Sequence, residues 1–123
     1  ETYGARILLT HFVYRQIPDF EKTYHARYLG NVYLRANDTL ERIYDVYDGD
    51  AEEDFYQKEL TRPLFEQGVE LFVAKKFYEA RLVFVEVLKQ YRRDRAAKAY
   101  LYRCDKYYKS ADVENVTTAL EQF

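Results

Sequence analysis

The sequence predicts an α+β fold: a strand–helix–β-hairpin piece followed by an α-helical module. Three observations lead there. Apolar residues alternate with period two between residues 24 and 47, then recur at three- and four-residue steps from residue 55 onward. An acidic stretch containing Asp48, Asp50, Glu52, Glu53 and Asp54 separates the two patterns. The charge changes sign across that boundary: residues 1–60 carry 7 basic and 12 acidic side chains, whereas residues 61–123 carry 12 and 9. The expected organisation is therefore a sheet piece over 1–47, a solvated acidic linker over 48–60 and a helical module over 61–123.

Each element has its own signal. Ala5-Arg6-Ile7-Leu8-Leu9 is a short apolar run and predicts a strand. Thr10 can cap a short helix over 11–17, which Pro18-Asp19 ends. From residue 24, Tyr24, Ala26, Tyr28, Val32 and Leu34 are expected on one strand face. His25, Arg27, Asn31, Tyr33 and Arg35 fall on the other. Ala36-Asn37-Asp38 marks a turn, since Asn and Asp tolerate left-handed backbone, and a second strand returns over 39–47. Three strands and one short helix leave an apolar face and an open edge. Upstream residues or another chain are expected to cover Tyr28, Val32 and Leu34, which points to an oligomer or an assembly subunit.

In the second half Thr61 is expected to cap a helix with Pro63 in its first turn. Lys75-Lys76 is the expected turn. A second helix carries Phe77, Ala80, Val83, Phe84, Val87 and Leu88 on one stripe. A third, over 94–109, turns Ala97, Tyr100, Leu101, Cys104 and Tyr108 inward. A last short one is expected near Asp112, with Val113, Val116 and Leu120.

Few residues suggest chemistry. His11 and His25 are the only histidines, and neither has a second ligand at helical or strand spacing, so packing or surface roles are expected. Cys104 is the single cysteine; it cannot form an internal disulfide, and its apolar stripe predicts an inert core thiol. A reducing, cytoplasmic compartment is expected. No apolar run approaches the roughly 18 residues of a membrane span. The acidic stretch lacks the ligand spacing of a calcium loop, and the four glycines are too scattered for a phosphate loop. The basic side chains Lys89, Arg92, Arg93, Arg95, Lys98, Arg103, Lys106 and Lys109 are interleaved with tyrosines. With a net charge of −2 they favour an acidic protein surface, such as residues 45–54 of this chain, over nucleic acid.

The spacing over 64–96 resembles a tetratricopeptide repeat. Leu64, Gly68 and Leu71 match its first helix, and Ala80, Phe84 and Val87 its second; Arg92 stands where the repeat's proline is expected. One repeat cannot build the usual multi-repeat peptide groove, so docking on its own chain or on one partner is implied.

Longer strings resemble the C-terminal part of bacterial class III adenylate and guanylate cyclases. They are Tyr-Gly-Ala-Arg-Ile-Leu-Leu (3–9), Tyr-His-Ala-Arg-Tyr-Leu-Gly-Asn-Val-Tyr-Leu (24–34) and Ile-Tyr-Asp-Val-Tyr-Asp-Gly-Asp (43–50). Phe-Glu-Gln-Gly-Val-Glu-Leu (65–71), Ala-Tyr-Leu-Tyr-Arg-Cys (99–104) and Asn-Val-Thr-Thr-Ala-Leu (115–120) follow in the helical part. The resemblance implies the tail of a ferredoxin-like cyclase domain. It implies cyclic nucleotide synthesis with Mg or Mn in the full enzyme, whose catalytic carboxylates lie upstream of residue 1. No catalytic or metal-binding residue is expected in this segment. The family's Lys-Gly-Lys hairpin falls on Arg35-Ala36-Asn37, which leaves Arg35 as the candidate phosphate contact. The alternative is a non-catalytic interaction or assembly subunit that kept a degenerate cyclase tail.

Overall fold

The computed structural model describes residues 7–120 as a mixed α+β structure with a three-stranded antiparallel sheet and five helices. In chain order these are β1 (Leu8–Thr10), α1 (His11–Gln16), α2 (Phe20–Thr23), β2 (Ala26–Leu34), β3 (Thr39–Val46), α3 (Glu52–Val73), α4 (Phe77–Gln90) and α5 (Arg95–Tyr107), with a final 3-10 turn at Val113–Asn115. The sheet order is β1-β3-β2. Ala5 and Arg6, which open the expected first strand, lie outside the described residues.

Local chemistry explains most boundaries. The Thr10 hydroxyl accepts from the Val13 backbone N–H and starts α1 directly at the end of β1. Asp19, at φ 53, then turns the chain into α2, an element the sequence reading lacks. Asp38, at φ 54, closes the β2–β3 hairpin where the Asn-Asp pair predicts a turn. At the end of α3, Lys75 takes a left-handed conformation at φ 64. The Lys76 N–H reaches the Leu71 carbonyl and the Lys75 N–H that of Phe72, a Schellman motif with lysine in the usual glycine position.

Three expectations are corrected. First, α3 begins at Glu52, so residues 52–60 are helical and only 47–51 connect sheet to helix. Thr61 caps nothing; it is buried inside α3, where its hydroxyl donates to the Gln57 carbonyl, and Pro63 also lies within the helix. The acidic first turn of Glu52, Glu53 and Asp54 complements the helix dipole. Burial of Phe65, Val69 and Phe72 offsets the backbone bond that Pro63 cannot make.

Second, β2 does not alternate throughout. The register pairs Tyr28 with Tyr44 but Gly30 with Ile43, so Leu29 is a bulge and the faces exchange there. Tyr28 and Val32 therefore point to opposite faces, because residues directly opposed in an antiparallel pair share a face. Third, the last short helix expected near Asp112 is a single 3-10 turn, Val113–Asn115, with Asp112 at its start, and Val116 and Leu120 lie beyond it. There the Leu120 N–H bonds the Asn31 carbonyl at 2.7 Å, and Leu120 bridges Val32 in parallel fashion.

The cover that the sheet was expected to take from outside comes largely from within the chain. Tyr28 and Val32 are each 2% exposed, and Leu34 packs against the same core. The core joins sheet and helices through Leu29, Ile43, Phe65, Phe72, Phe84 and Tyr100. Its centre is the Phe84–Tyr100 stack, with centroids 5.0 Å apart. The close α3–α4 crossing read from Gly68 and Ala80 is present: a Cβ on Gly68 would meet the Phe84 ring at 2.8 Å, and Ala80 is fully buried.

The two sheet edges differ. Along β2, Arg62 of α3 donates to the Ala26 carbonyl, and the Tyr28 N–H donates to Glu66. Farther on, the Tyr100 hydroxyl donates to the Leu29 carbonyl. Side chains thus replace a fourth strand. Gly30, at φ 145, permits this approach, since a Cβ there would fall on the Tyr100 hydroxyl. Among the described residues β1 pairs only with β3.

Candidate functional site

The β2–β3 hairpin carries Arg35 at its tip. The turn is held locally: Tyr33 donates to Asp38, and Thr39 donates to the Asn37 side chain at 2.7 Å. Arg35 is exposed and makes no ion pair or hydrogen bond among the described residues. It is a guanidinium free to meet an external anion. Asn37, where the resembled family has its second lysine, is already occupied as an acceptor within the turn.

The opposite end of β2 holds a cluster that the sequence reading missed. Arg27 is 1% exposed. Its Nε lies 3.0 Å from Asp45, directly opposite on β3, and its two terminal nitrogens grip Asp94 at 2.7 and 3.1 Å. The guanidinium stacks on Phe65 at 3.9 Å. Lys58 of α3 completes the cluster, 3.0 Å from Asp45 and 2.7 Å from Asp50. Burial opposes the Arg27 charge, yet Asp94 and Asp45 outweigh it and raise its pKa further above the ordinary arginine range. Asp94 also caps α5 by accepting from Ala97 N–H. One residue thus starts a helix and ties it to the sheet. The available signal was the opposite-sign pair at 27 and 45, placed face to face by the hairpin.

The acidic stretch is not a solvated connector. Asp48 binds His25, Asp50 binds Lys58, and Asp54 accepts from both the Tyr91 hydroxyl and Arg93 at 2.8 Å. Burial works against the Asp48 and Asp54 charges, but these donors bring both carboxyls below their ordinary value. The Arg93–Asp54 pair realises the expected attraction between the basic cluster and the chain's own acidic stretch. Arg103, counted in that cluster, is instead buried, over Phe72 and against the Thr117 carbonyl.

A cleft of about 440 Å³ lies between α1–α2, β3 and α3. Its walls include Tyr14, Phe20, Tyr24 and Tyr44, with Tyr14 stacked on Tyr44 at 4.7 Å. His11 meets the Tyr44 hydroxyl at 2.9 Å. Burial and the bond to Glu21 push the Tyr14 phenol up to about 12, so it holds its proton at neutral pH. Glu21, Glu59 and Glu66 face one cation, Arg62, but each is already bonded, to Tyr14, to Tyr47 and to the Tyr28 N–H. The cleft can hold a flat or cationic group; its polar walls are committed to the fold. Cys104 is buried, which pushes its thiol up to about 12 and leaves it unreactive.

Among the described residues no group of three or more His, Cys, Asp and Glu is placed to hold a metal ion. The Mg or Mn that the resemblance implies for a full cyclase has no carboxylate set to fit here, and no step is routed through it. Among the same residues no helix is long and apolar enough to cross a membrane.

No family model matches the sequence, and no solved structure matches. The chain is similar to a protein of Dictyostelium discoideum, "Adenylate cyclase, terminal-differentiation specific". It is 24% identical to it over 114 residues, which is 93% of this chain and 5% of that protein. The similarity thus covers the sheet piece and the helices together, in a small fraction of the relative's length, and suggests a cyclase-related segment.

Proposed function

We propose that this chain is the C-terminal segment of a class III nucleotide cyclase, itself non-catalytic, whose helical module serves docking or regulation. The similarity to an adenylate cyclase over 93% of the chain carries the reading. In it the sheet piece is the tail of a ferredoxin-like catalytic domain and α3–α5 a tetratricopeptide-like module, both in the cytoplasm. Arg35 is the phosphate contact, and the upstream domain or a second chain supplies the metal-binding carboxylates. The free guanidinium at the hairpin tip supports this role. Ala36 and Asn37, in place of glycine and lysine, favour the second reading of an assembly subunit with a degenerate tail.

One pair of assays separates the two. The intact native polypeptide that contains this sequence is expected to make cyclic AMP or GMP with Mg or Mn. The 123-residue chain alone is expected to make none, because among the described residues no group of carboxylates is placed to hold a metal at the α-phosphate. Production by the short chain overturns the non-catalytic assignment. An inactive intact polypeptide leaves the assembly-subunit reading.

A further inference from the structure

The helices pack in series: α3 on α4, then α4 on α5. Each new helix covers the apolar seam left by the previous pair. After α5 the series stops. The chain turns at Ser110, whose N–H bonds the Tyr107 carbonyl, passes Thr117 beside Arg103 and reaches the sheet at Leu120. Among the described residues none covers the outer side of the α4–α5 seam.

That seam is amphipathic. Val85 and Leu88 of α4 line it together with Leu101 of α5, and Leu82 lies three residues before Val85 on the same helix. Leu82 is 47% exposed, and Val85, Leu88 and Leu101 form a half-buried floor. Two shallow, open depressions adjoin there and share Leu88 and Arg92. Lys89 and Arg93 on the rim are paired, with Glu86 and Asp54. Arg92 and Lys98 make no ion pair among the described residues.

We propose that the α4–α5 seam is a docking groove for an acidic amphipathic helix of another protein. The ridge from Leu82 to the end of α4 at Gln90 is about 12 Å long at helical rise, enough for about two turns of a partner helix. Leucine-sized knobs at helical spacing fit the aliphatic floor. Carboxylates flanking them meet Arg92 and Lys98, which supply register and specificity. The lining offers no aromatic platform on which the bases of a nucleic acid could stack. The site is independent of the cyclase relation, since no nucleotide or upstream domain enters it.

The test is fluorescence anisotropy on the whole 123-residue chain. The probe is a synthetic helix with leucines at helical spacing and glutamates beside them; a control replaces glutamate by lysine. The acidic probe is expected to bind, and the lysine probe to bind at least about tenfold more weakly. Arg92→Glu and Lys98→Glu are each expected to weaken the acidic probe about fivefold or more without moving the melting temperature, because both side chains are exposed. Leu82→Asp, also at an exposed position, is expected to weaken it as well. Equal binding of the two probes, or no effect of the charge reversals, overturns the proposal. So does displacement of the probe by oligouridine or by phosphatidylserine vesicles that bind more tightly, which reassigns the rim to phosphate.

Discussion

The two ends of β2 each present an arginine, and the contrast between them shows what decides the fate of a charge. Arg27, near the root, is buried between two aspartates and stacked on Phe65. Arg35, just past the tip, stands in solvent. Alternation alone places both on the same outward face, with His25 and Tyr33. The difference lies in what arrives later in the chain. Asp94, distant in sequence, comes to Arg27 as the cap of α5, whereas nothing in the described structure comes to Arg35. A strand pattern specifies a face; tertiary packing specifies whether that face meets water or carboxylate.

The sharpest way to break this comparison is Arg27→Ala. It leaves Asp45 and Asp94 buried without their cation and is expected to cost roughly 3–5 kcal/mol. Urea unfolding with two probes checks it; a loss below about 1 kcal/mol would mean that water already reaches the cluster.

Gly30→Ala should be the next largest. It combines left-half backbone at φ 145 with a Cβ placed on the Tyr100 hydroxyl, for roughly 1–3 kcal/mol. Tyr100→Phe, which loses only the bond to Leu29, is expected to cost about 1 kcal/mol. Equal losses would show that the hydroxyl, and not the bulge conformation, dominates.

The acidic connection gives a smaller, pH-linked effect. Asp48 and Asp54 have folded pKa values below their unfolded ones. Their contribution is therefore complete above the ordinary carboxylate value of about 4 and is lost as pH falls through the lower folded values. Melting temperature should drop over that acidic window, and Asp54→Asn should flatten the drop. An unchanged slope in that variant would remove Asp54 from the account.

The smallest effect belongs to Arg35. Arg35→Ala is expected to shift stability by no more than about 0.5 kcal/mol, and under the proposed cyclase reading it weakens cyclic nucleotide production by the intact polypeptide. A large stability loss would mean that Arg35 has a structural partner and is not held ready for an external anion.

Much of the fold was readable locally. Thr10 as a cap, the turn at Asp38, the Lys75 helix end and the Gly68 crossing each depend on neighbours a few residues away or on one helix period. Arg35 was singled out only through resemblance, by its place at the hairpin tip. The Arg27–Asp45–Asp94–Lys58 cluster was not, because its members come from four elements and each looks like an ordinary surface charge. The start of α3 was obscured by an acidic run that doubles as a first helical turn, and by a proline that usually marks a beginning.

Composition and period by themselves determined an α+β chain with a helical second half, since strand and helix impose different spacings on apolar residues. Tertiary structure alone decided the Leu29 bulge, the capping of the β2 edge by Arg62, Glu66 and Tyr100, and the burial of Arg27. Those depend on close approaches between segments far apart in the chain, where one glycine without a Cβ or one aspartate at a helix start sets the geometry, and no short-range pattern encodes such distances.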